Sequence, residues 1–227
     1  MAATTALTKI ADITNIVYIN LDTRPDRKQH IVTQLNTIGF KNFKRFRAIR
    51  TANGAIGCTM SHLACLENAL KHGLSHLMIL EDDTTFLQPD VFRAQFNKFL
   101  ATHNIATWDV VLIAGNNVVP YTPIDDTCIK VSHCQTTTAY LVKQAYFPTL
   151  IDNIKTGLKM LLQNPANRFE YAIDKYWLRL QKTDNWFLII PLTVIQKEGY
   201  SDIERKIVNY RRLLTSVNKS CMPPKLA

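Results

Sequence analysis

The sequence predicts an α/β fold with a mainly parallel central sheet flanked by helices. Three observations lead there. Short β-branched apolar runs alternate with helical patterns through the first 115 residues, the rhythm of a parallel sheet covered on both faces. Of the 227 residues, 47% are hydrophobic, enough for one sizeable core. The apolar run 77–80 ends abruptly in Glu81, Asp82 and Asp83, and open α/β sheets present ligand sites at the carboxyl ends of their strands.

The elements follow in order. Residues 16–19 read as the first strand and 20–25 as the turn after it. A helix capped by Thr23 or Asp26 runs to Ile38, with Ile31, Leu35 and Ile38 on one face and Gly39 closing it. Residues 44–49 alternate as a second strand. Residues 51–57, with two glycines and an asparagine, read as a loop. Thr59 or Ser61 then opens a helix to His72, striped by Leu63, Leu66, Ala69 and Leu70. After the 77–80 strand, Pro89 starts a helix with Val91, Phe92, Phe96, Phe99 and Leu100 facing inward. Residues 108–114 form a strand, 118–134 a loop with a short strand at 128–132, and 136–142 another strand. Helices are predicted over 145–160 and 170–180, late strands over 186–190 and 192–196, and a basic helix over 202–217. The organisation expected is an N-terminal extension 1–14, one domain 15–203 and a basic helical tail 204–227.

The formal net charge is +9, which favours anionic partners. The basic tail carries no interleaved aromatic beyond Tyr210, so specific nucleic-acid binding is not expected; contact with an anionic membrane stays open. No apolar run approaches the ~20 residues of a membrane span. The five cysteines are an odd set without a signal sequence, which favours reduced thiols and a cytoplasmic setting. Cys58, His62 and Cys65 share a helix face at i, i+4, i+7. That spacing matches no common zinc finger, so helix packing is expected there. No Gly-x-Gly-x-x-Gly follows the first strand, and no Gly-Lys-Ser/Thr loop or Gly-x-Ser-x-Gly elbow occurs. Dinucleotide oxidoreductases, P-loop NTPases and elbow hydrolases are therefore disfavoured.

Three adjacent carboxylates repel one another unless a cation sits among them, and hard oxygen ligands suit Mg²⁺ or Mn²⁺. The alternative is a solvated acidic turn. Context decides between the two readings. The segments VYINLDTRPDR (17–27), IGCTMSHLACLENAL (56–70) and LMILEDDTTF (77–86) together resemble glycosyltransferase family 25, the family of lipopolysaccharide glycosyltransferases and procollagen galactosyltransferases. The resembling positions are Asn20, Leu21, Asp22, Asp26 and Arg27; Gly57, Cys58, Ser61 and His62; and Glu81, Asp82 and Asp83. Weaker matches at 108–112, 138–142 and 201–203 extend the resemblance over roughly residues 15–203.

The resemblance implies a GT-A-type nucleotide-sugar-binding domain and an inverting transfer of a hexose, galactose or glucose. The donor implied is a UDP-sugar, the acceptor a protein or glycan hydroxyl such as a collagen-like hydroxylysine, and the cofactor Mn²⁺ or Mg²⁺. Asp83 and Glu81 are then the metal ligands, with Asp82 beside them. Asn20, Leu21, Asp22, Arg24, Arg27, Ala48, Ile49, Gly57, Cys58, Ser61, Glu81, Asp82, Asn116 and Thr138 are candidate nucleotide-sugar contacts. Gly57 and Cys58 are expected to precede a helix N-terminus, where free N–H groups favour anions. Arg27 either approaches a phosphate or salt-bridges Asp22 or Asp26. Asp174 is the candidate base for the acceptor hydroxyl, or else a surface partner of Lys175 or Arg179. Thr136, Thr137 and Thr138 stand where the family commonly has a Cys-Gly-Thr-type sequence, so the donor sugar is not read from them. Trp177 and Trp186 are expected in the core. The competing function is a non-catalytic protein that binds an anionic surface or a nucleotide sugar; oligomeric state is left open.

Overall fold

The computed structural model describes residues 6–220; Cys221 and the ends of both terminal segments lie outside the described residues. The strands are β1 (Ile16–Asn20), β2 (Lys44–Arg47), β3 (His76–Glu81), β4 (Thr84–Phe86), β5 (Val110–Leu112), β6 (Asn116–Asn117), β7 (Tyr121–Pro123), β8 (Cys128–Val131), β9 (Cys134–Gln135), β10 (Ala139–Lys143), β11 (Trp186–Ile189), β12 (Val194–Gln196), β13 (Gly199–Ser201) and β14 (Lys206–Val208). The long helices are α1 (Pro25–Ile38), α2 (Gly54–Lys71), α3 (Pro89–Thr102) and α4 (Phe147–Gln163). Short helices follow: α5 (Arg168–Tyr171), α6 (Ile173–Tyr176), α7 (Leu178–Gln181) and α8 (Arg211–Leu214).

The central sheet has eight strands in the order β2-β1-β3-β10-β5-β11-β8-β7. It is mixed rather than mainly parallel. Strands β2, β1 and β3 run parallel, as do β5 and β11, but β10 is antiparallel to both neighbours and β8 is antiparallel to β11 and β7. The α/β class and the helical cover on both faces are as expected.

Side-chain alternation explains the continuous apolar run of β3. Met78 and Leu80 join the core under α1 and α3, with Ile31, Leu35, Phe92, Phe96 and Phe99. Leu77 and Ile79 join the opposite core under α2 and α4, with Leu63, Leu66, Phe147 and Leu150. Both faces are dry, so no polar residue interrupts the strand. Helix α1 begins at Pro25 without a side-chain cap and stops at Gly39, which adopts φ +91°.

Three sequence expectations are corrected. Helix α2 starts at Gly54, not near Thr59, because the Asn53 side chain accepts the Ala55 N–H at 3.0 Å. Thr59 and Ser61 are interior; their hydroxyls donate to the carbonyls of Ala55 and Gly57. Residues 202–217 are not one helix. They form the second half of a hairpin, β13 pairing β14, followed by the single turn α8. Nor is the N-terminal segment peripheral, since Leu7, Ile10 and Ile13 enter the core. Among the described residues no helix is long and apolar enough to cross a membrane.

His76 opens β3, 2% exposed, and its Nε2 accepts the N–H of Thr14 at 3.2 Å. Burial lowers its pKa to about 4. The native state therefore excludes a proton that the unfolded chain binds below its ordinary value of about 6.5. Stability is full above that value and falls as pH drops toward 4, by about 3 kcal/mol at ~1.36 kcal/mol per unit. His30 and His133 shift in the same direction, also chiefly through burial. Urea titrations between pH 7 and pH 4.5 should show this decline, and His76→Gln should flatten it. A mutant decline as steep as that of the wild type would count against His76.

Candidate active site

The parallel strands β1 and β3 end side by side at Asn20 and Glu81. The chain entering β10 reaches the same edge, because Ala139 pairs Leu80 antiparallel. Three segments thus converge: the β1–α1 turn, the acidic turn after β3, and residues 136–138 before β10.

Asp82 is 7% exposed. Its Oδ2 accepts from Asn20 Nδ2 at 2.7 Å and its Oδ1 from Arg27 NH1 at 3.1 Å. Asp83 is 8% exposed, and its Oδ2 accepts from the same Arg27 nitrogen at 2.9 Å. Its other oxygen, Oδ1, is buried with no hydrogen-bond partner among the described residues. Burial and the neighbouring Glu81 carboxylate push the Asp83 pKa up to about 7. Burial also raises Asp82.

Glu81 is engaged differently. Its Oε1 accepts from Thr137 Oγ1 and lies 3.4 Å from His62 Nε2, while Oε2 accepts from Gln196 Nε2 at 3.3 Å. Burial opposes its charge, but His62, Thr137 and Arg27 outweigh that and hold its pKa below the ordinary carboxylate value. His62 is oriented through Nδ1 by the Tyr140 hydroxyl at 2.8 Å. The tightest group of ligand-type atoms here is Cys58, His62 and Glu81, all within 4.8 Å of one another, rather than the acidic trio. A hard cation suits the all-oxygen carboxylates rather than this thiol-imidazole set; burial and the nearby Glu81 and Asp174 carboxylates raise the Cys58 thiol well above its usual range. Cys65 is not part of this group; it packs in the core under α2.

The remaining candidates separate into those at the site and those that support it. Asn20 is buried and joins three groups: Asp82, the Arg24 carbonyl and, as acceptor, Arg45 Nε. Leu21 carries the turn, its carbonyl accepting the Arg24 N–H. Asp22 points away and pairs with Arg45 and Arg47. Arg24 pairs with Asp26 and Asp202, so Arg27 does not salt-bridge Asp22 or Asp26. Ala48 and Ile49 follow β2, with the Ile49 N–H held by the Ser61 hydroxyl at 2.8 Å. Ser61 is thus a buried strut. Gly57 and Cys58 lie within α2, one turn past its N-terminus, so they present no free N–H groups; Gly57 instead admits the Ile49 carbonyl, which an added Cβ would meet at 2.4 Å. Asn116 sits on β6, paired opposite Gln135 on β9. Trp177 and Trp186 are fully buried against each other, 5.1 Å between ring centroids.

Asp174 lies in the first turn of α6 and accepts the Thr136 N–H at 3.2 Å, with Lys175 Nζ 3.8 Å away. Arg179 is not its partner; that side chain lies over the Tyr176 ring. Thr136 adopts φ +84°, a left-handed conformation that costs a β-branched residue energy and aims its N–H at Asp174. The buried Thr138 hydroxyl bonds Thr136 Oγ1 at 2.7 Å, and the Thr137 hydroxyl beside them reaches Glu81. Strand β12 and the hairpin complete the surround: Lys197 N donates to the Asp83 carbonyl, and Arg27 NH2 to the Tyr200 carbonyl at 2.9 Å. Gln196 and Tyr200 carry no local signal in the sequence that would have marked them.

The sequence model of glycosyltransferase family 25 (LPS biosynthesis protein) matches residues 50–177, more than half the chain. The chain belongs to this family. It is a glycosyltransferase. The match takes in α2, the acidic turn, the three threonines and Asp174. No curated protein matches the chain. Among solved structures it is similar to a mannose-1-phosphate geranyltransferase from Thermus thermophilus, with a TM-score of 0.47 and 10% identity, covering 78% of this chain and 73% of that one. It is also similar to a glycosyltransferase involved in glycosylation of the major capsid of PBCV-1, with a TM-score of 0.45 and 10% identity, covering 77% and 81%.

Proposed function

We propose that this family 25 glycosyltransferase is an inverting, metal-assisted enzyme that moves galactose or glucose from a UDP-sugar to a hydroxyl of a protein or glycan acceptor. The observation that carries the metal reading is Asp83 Oδ1, a buried carboxylate oxygen with no partner among the described residues, at the end of a parallel strand. Buried polar atoms are nearly always satisfied, so this one calls for a partner that the described residues do not supply. Two further carboxylates adjoin it, and the all-oxygen donor set suits Mn²⁺ or Mg²⁺. Asp83, backed by Glu81, would hold the cation, which would offset the charge growing on the departing diphosphate.

The chain's own residues do the rest. Asn20 and Arg27 fix the acidic turn, and Arg27 is placed to present its donor fork to a phosphate. Asp174 takes the acceptor proton as that oxygen attacks the sugar C1 and the C1–oxygen bond to UDP breaks. Its carboxylate is steadied by the Thr136 N–H, which leaves the second oxygen for the proton. Exposed Lys206, Arg211 and Arg212 supply positive charge for an anionic surface near the acceptor.

Hydrolysis of a panel of UDP-sugars, with Mn²⁺ and then with excess chelator, tests the reading; equal turnover in both would sink the metal role. Asp174→Asn is expected to lower kcat about 10²-fold with donor KM nearly unchanged, because a base acts on the transition state and not on donor binding. A KM effect without a kcat effect would move Asp174 from base to binding residue.

A further inference from the structure

We propose that His103, Asp125 and Cys128 form a second, zinc-type metal site, independent of the acidic turn. His103 follows α3 directly, Cys128 opens β8, and Asp125 lies in the turn between β7 and β8. Their ligand-type atoms lie within 4.8 Å of one another. His103 Nε2 is 2.8 Å from Asp125 Oδ2 and 3.8 Å from Cys128 Sγ. A tetrahedral zinc, with bonds of about 2.0 Å to nitrogen and oxygen and about 2.3 Å to sulfur, holds its ligand atoms roughly 3.3–3.6 Å apart. These two separations fall below and above that range, so the imidazole would move away from Asp125 and toward Cys128 as a zinc entered.

The surroundings orient each ligand. Asp125 Oδ1 accepts from Thr127 N at 2.7 Å, Thr127 Oγ1 at 2.6 Å and Cys128 N at 3.2 Å, which turns Oδ2 toward His103. The His103 ring packs against Phe99 at 4.8 Å and Phe187 at 6.0 Å. Fixing first ligands through outer hydrogen bonds and packing is what metal sites require. Cys128 is buried, while the side chains of His103 and Asp125 are 13% and 29% exposed, which gives solvent a path to the cluster. A nitrogen, oxygen and sulfur donor set selects zinc over magnesium or manganese. Binding exchanges the Cys128 thiol proton, released to solvent, for a sulfur–zinc bond. The site would staple the end of α3 to the β7–β8 hairpin. It lies four strand spacings from β3 in the sheet order, about 19 Å at ~4.8 Å per strand.

The experiment uses the full chain, stripped with chelator and then titrated with Zn²⁺ and, separately, Co²⁺. The expected result is one equivalent of zinc bound with sub-micromolar affinity and a thiolate-to-cobalt charge-transfer band. Cys128→Ser should abolish the band, whereas Cys58→Ser and Asp83→Ala should keep it. Asp125→Asn, which retains an acceptor for the turn, should weaken zinc by at least about tenfold while the circular dichroism spectrum stays native. Absence of the band in the wild type, its survival in Cys128→Ser, its loss in Cys58→Ser instead, or unchanged affinity in Asp125→Asn would each overturn the proposal.

Discussion

Replacing Asp83 with alanine is expected to cut turnover of the donor by roughly 10³-fold, about 4 kcal/mol of transition-state stabilisation. Two features of the acidic turn set that size. Asp83 Oδ1 is a buried carboxylate oxygen with no partner among the described residues, so of the acidic turn's oxygens it has most to offer a cation. Asp82 is held through both its oxygens by Asn20 and Arg27, so it would have to give up one of those bonds to take the place of Asp83. The substitution should leave the metal-free fold intact. It removes a carboxylate that burial and Glu81 hold in an unfavourable environment, and Arg27 keeps Asp82 and the Tyr200 carbonyl as partners. Thermal unfolding with and without Mn²⁺ separates the two effects. Wild type should gain melting temperature from the cation and Asp83→Ala should not, while both melt alike without it. Undiminished turnover in the mutant would remove Asp83 from the chemistry.

Gly57→Ala is expected to destabilise the protein by about 3 kcal/mol, a large effect for one methyl group. The new Cβ would lie 2.4 Å from the Ile49 carbonyl oxygen, 3.2 Å from Thr51 Oγ1 and 3.4 Å from Thr51 N. The Ile49 backbone cannot retreat easily, since Ser61, one turn further along α2, holds its N–H. Relief must come from moving α2 off the sheet edge, and α2 also carries His62, which approaches Glu81. Gly39→Ala is the control. Gly39 has positive φ but nothing within 4 Å of an added Cβ, so only the conformational cost of about 1 kcal/mol applies. Urea unfolding of the two variants should differ by about 2 kcal/mol; equal losses would refute the close-approach argument.

The same glycine shows where sequence reading stops. Residues 51–57, with two glycines and an asparagine, read as a loop, because glycine disfavours helix. The helix forms nonetheless, since Asn53 caps it and Gly57 lets it press on the Ile49 carbonyl. Neither reason is visible without the partner strand. The direction of β10 was equally hidden: residues 139–142 are apolar on both sides whichever way they run. The 202–217 segment reads as a basic helix by composition, yet hairpin hydrogen bonds and the Arg24–Asp202 and Arg168–Glu204 ion pairs hold it otherwise. These contacts join residues far apart in the chain, and helix propensity is too weak a preference to resist them.

At the site, the acidic turn was readable because three adjacent carboxylates end an apolar strand, and the structure sets them at the strand edge beside Asn20 and Arg27. The family emerged from ordered motifs in the same way. Their partners were not readable. Thr137 reaches Glu81 across 56 residues and Gln196 across 115. Periodicity along the chain fixes which face of an element is apolar, so it yields the layers and the strand that bears the charges. Which carboxylate oxygen is left unsatisfied depends on side chains meeting over long separations. Only the assembled sheet, with β10 laid antiparallel beside β3, brings them to one edge.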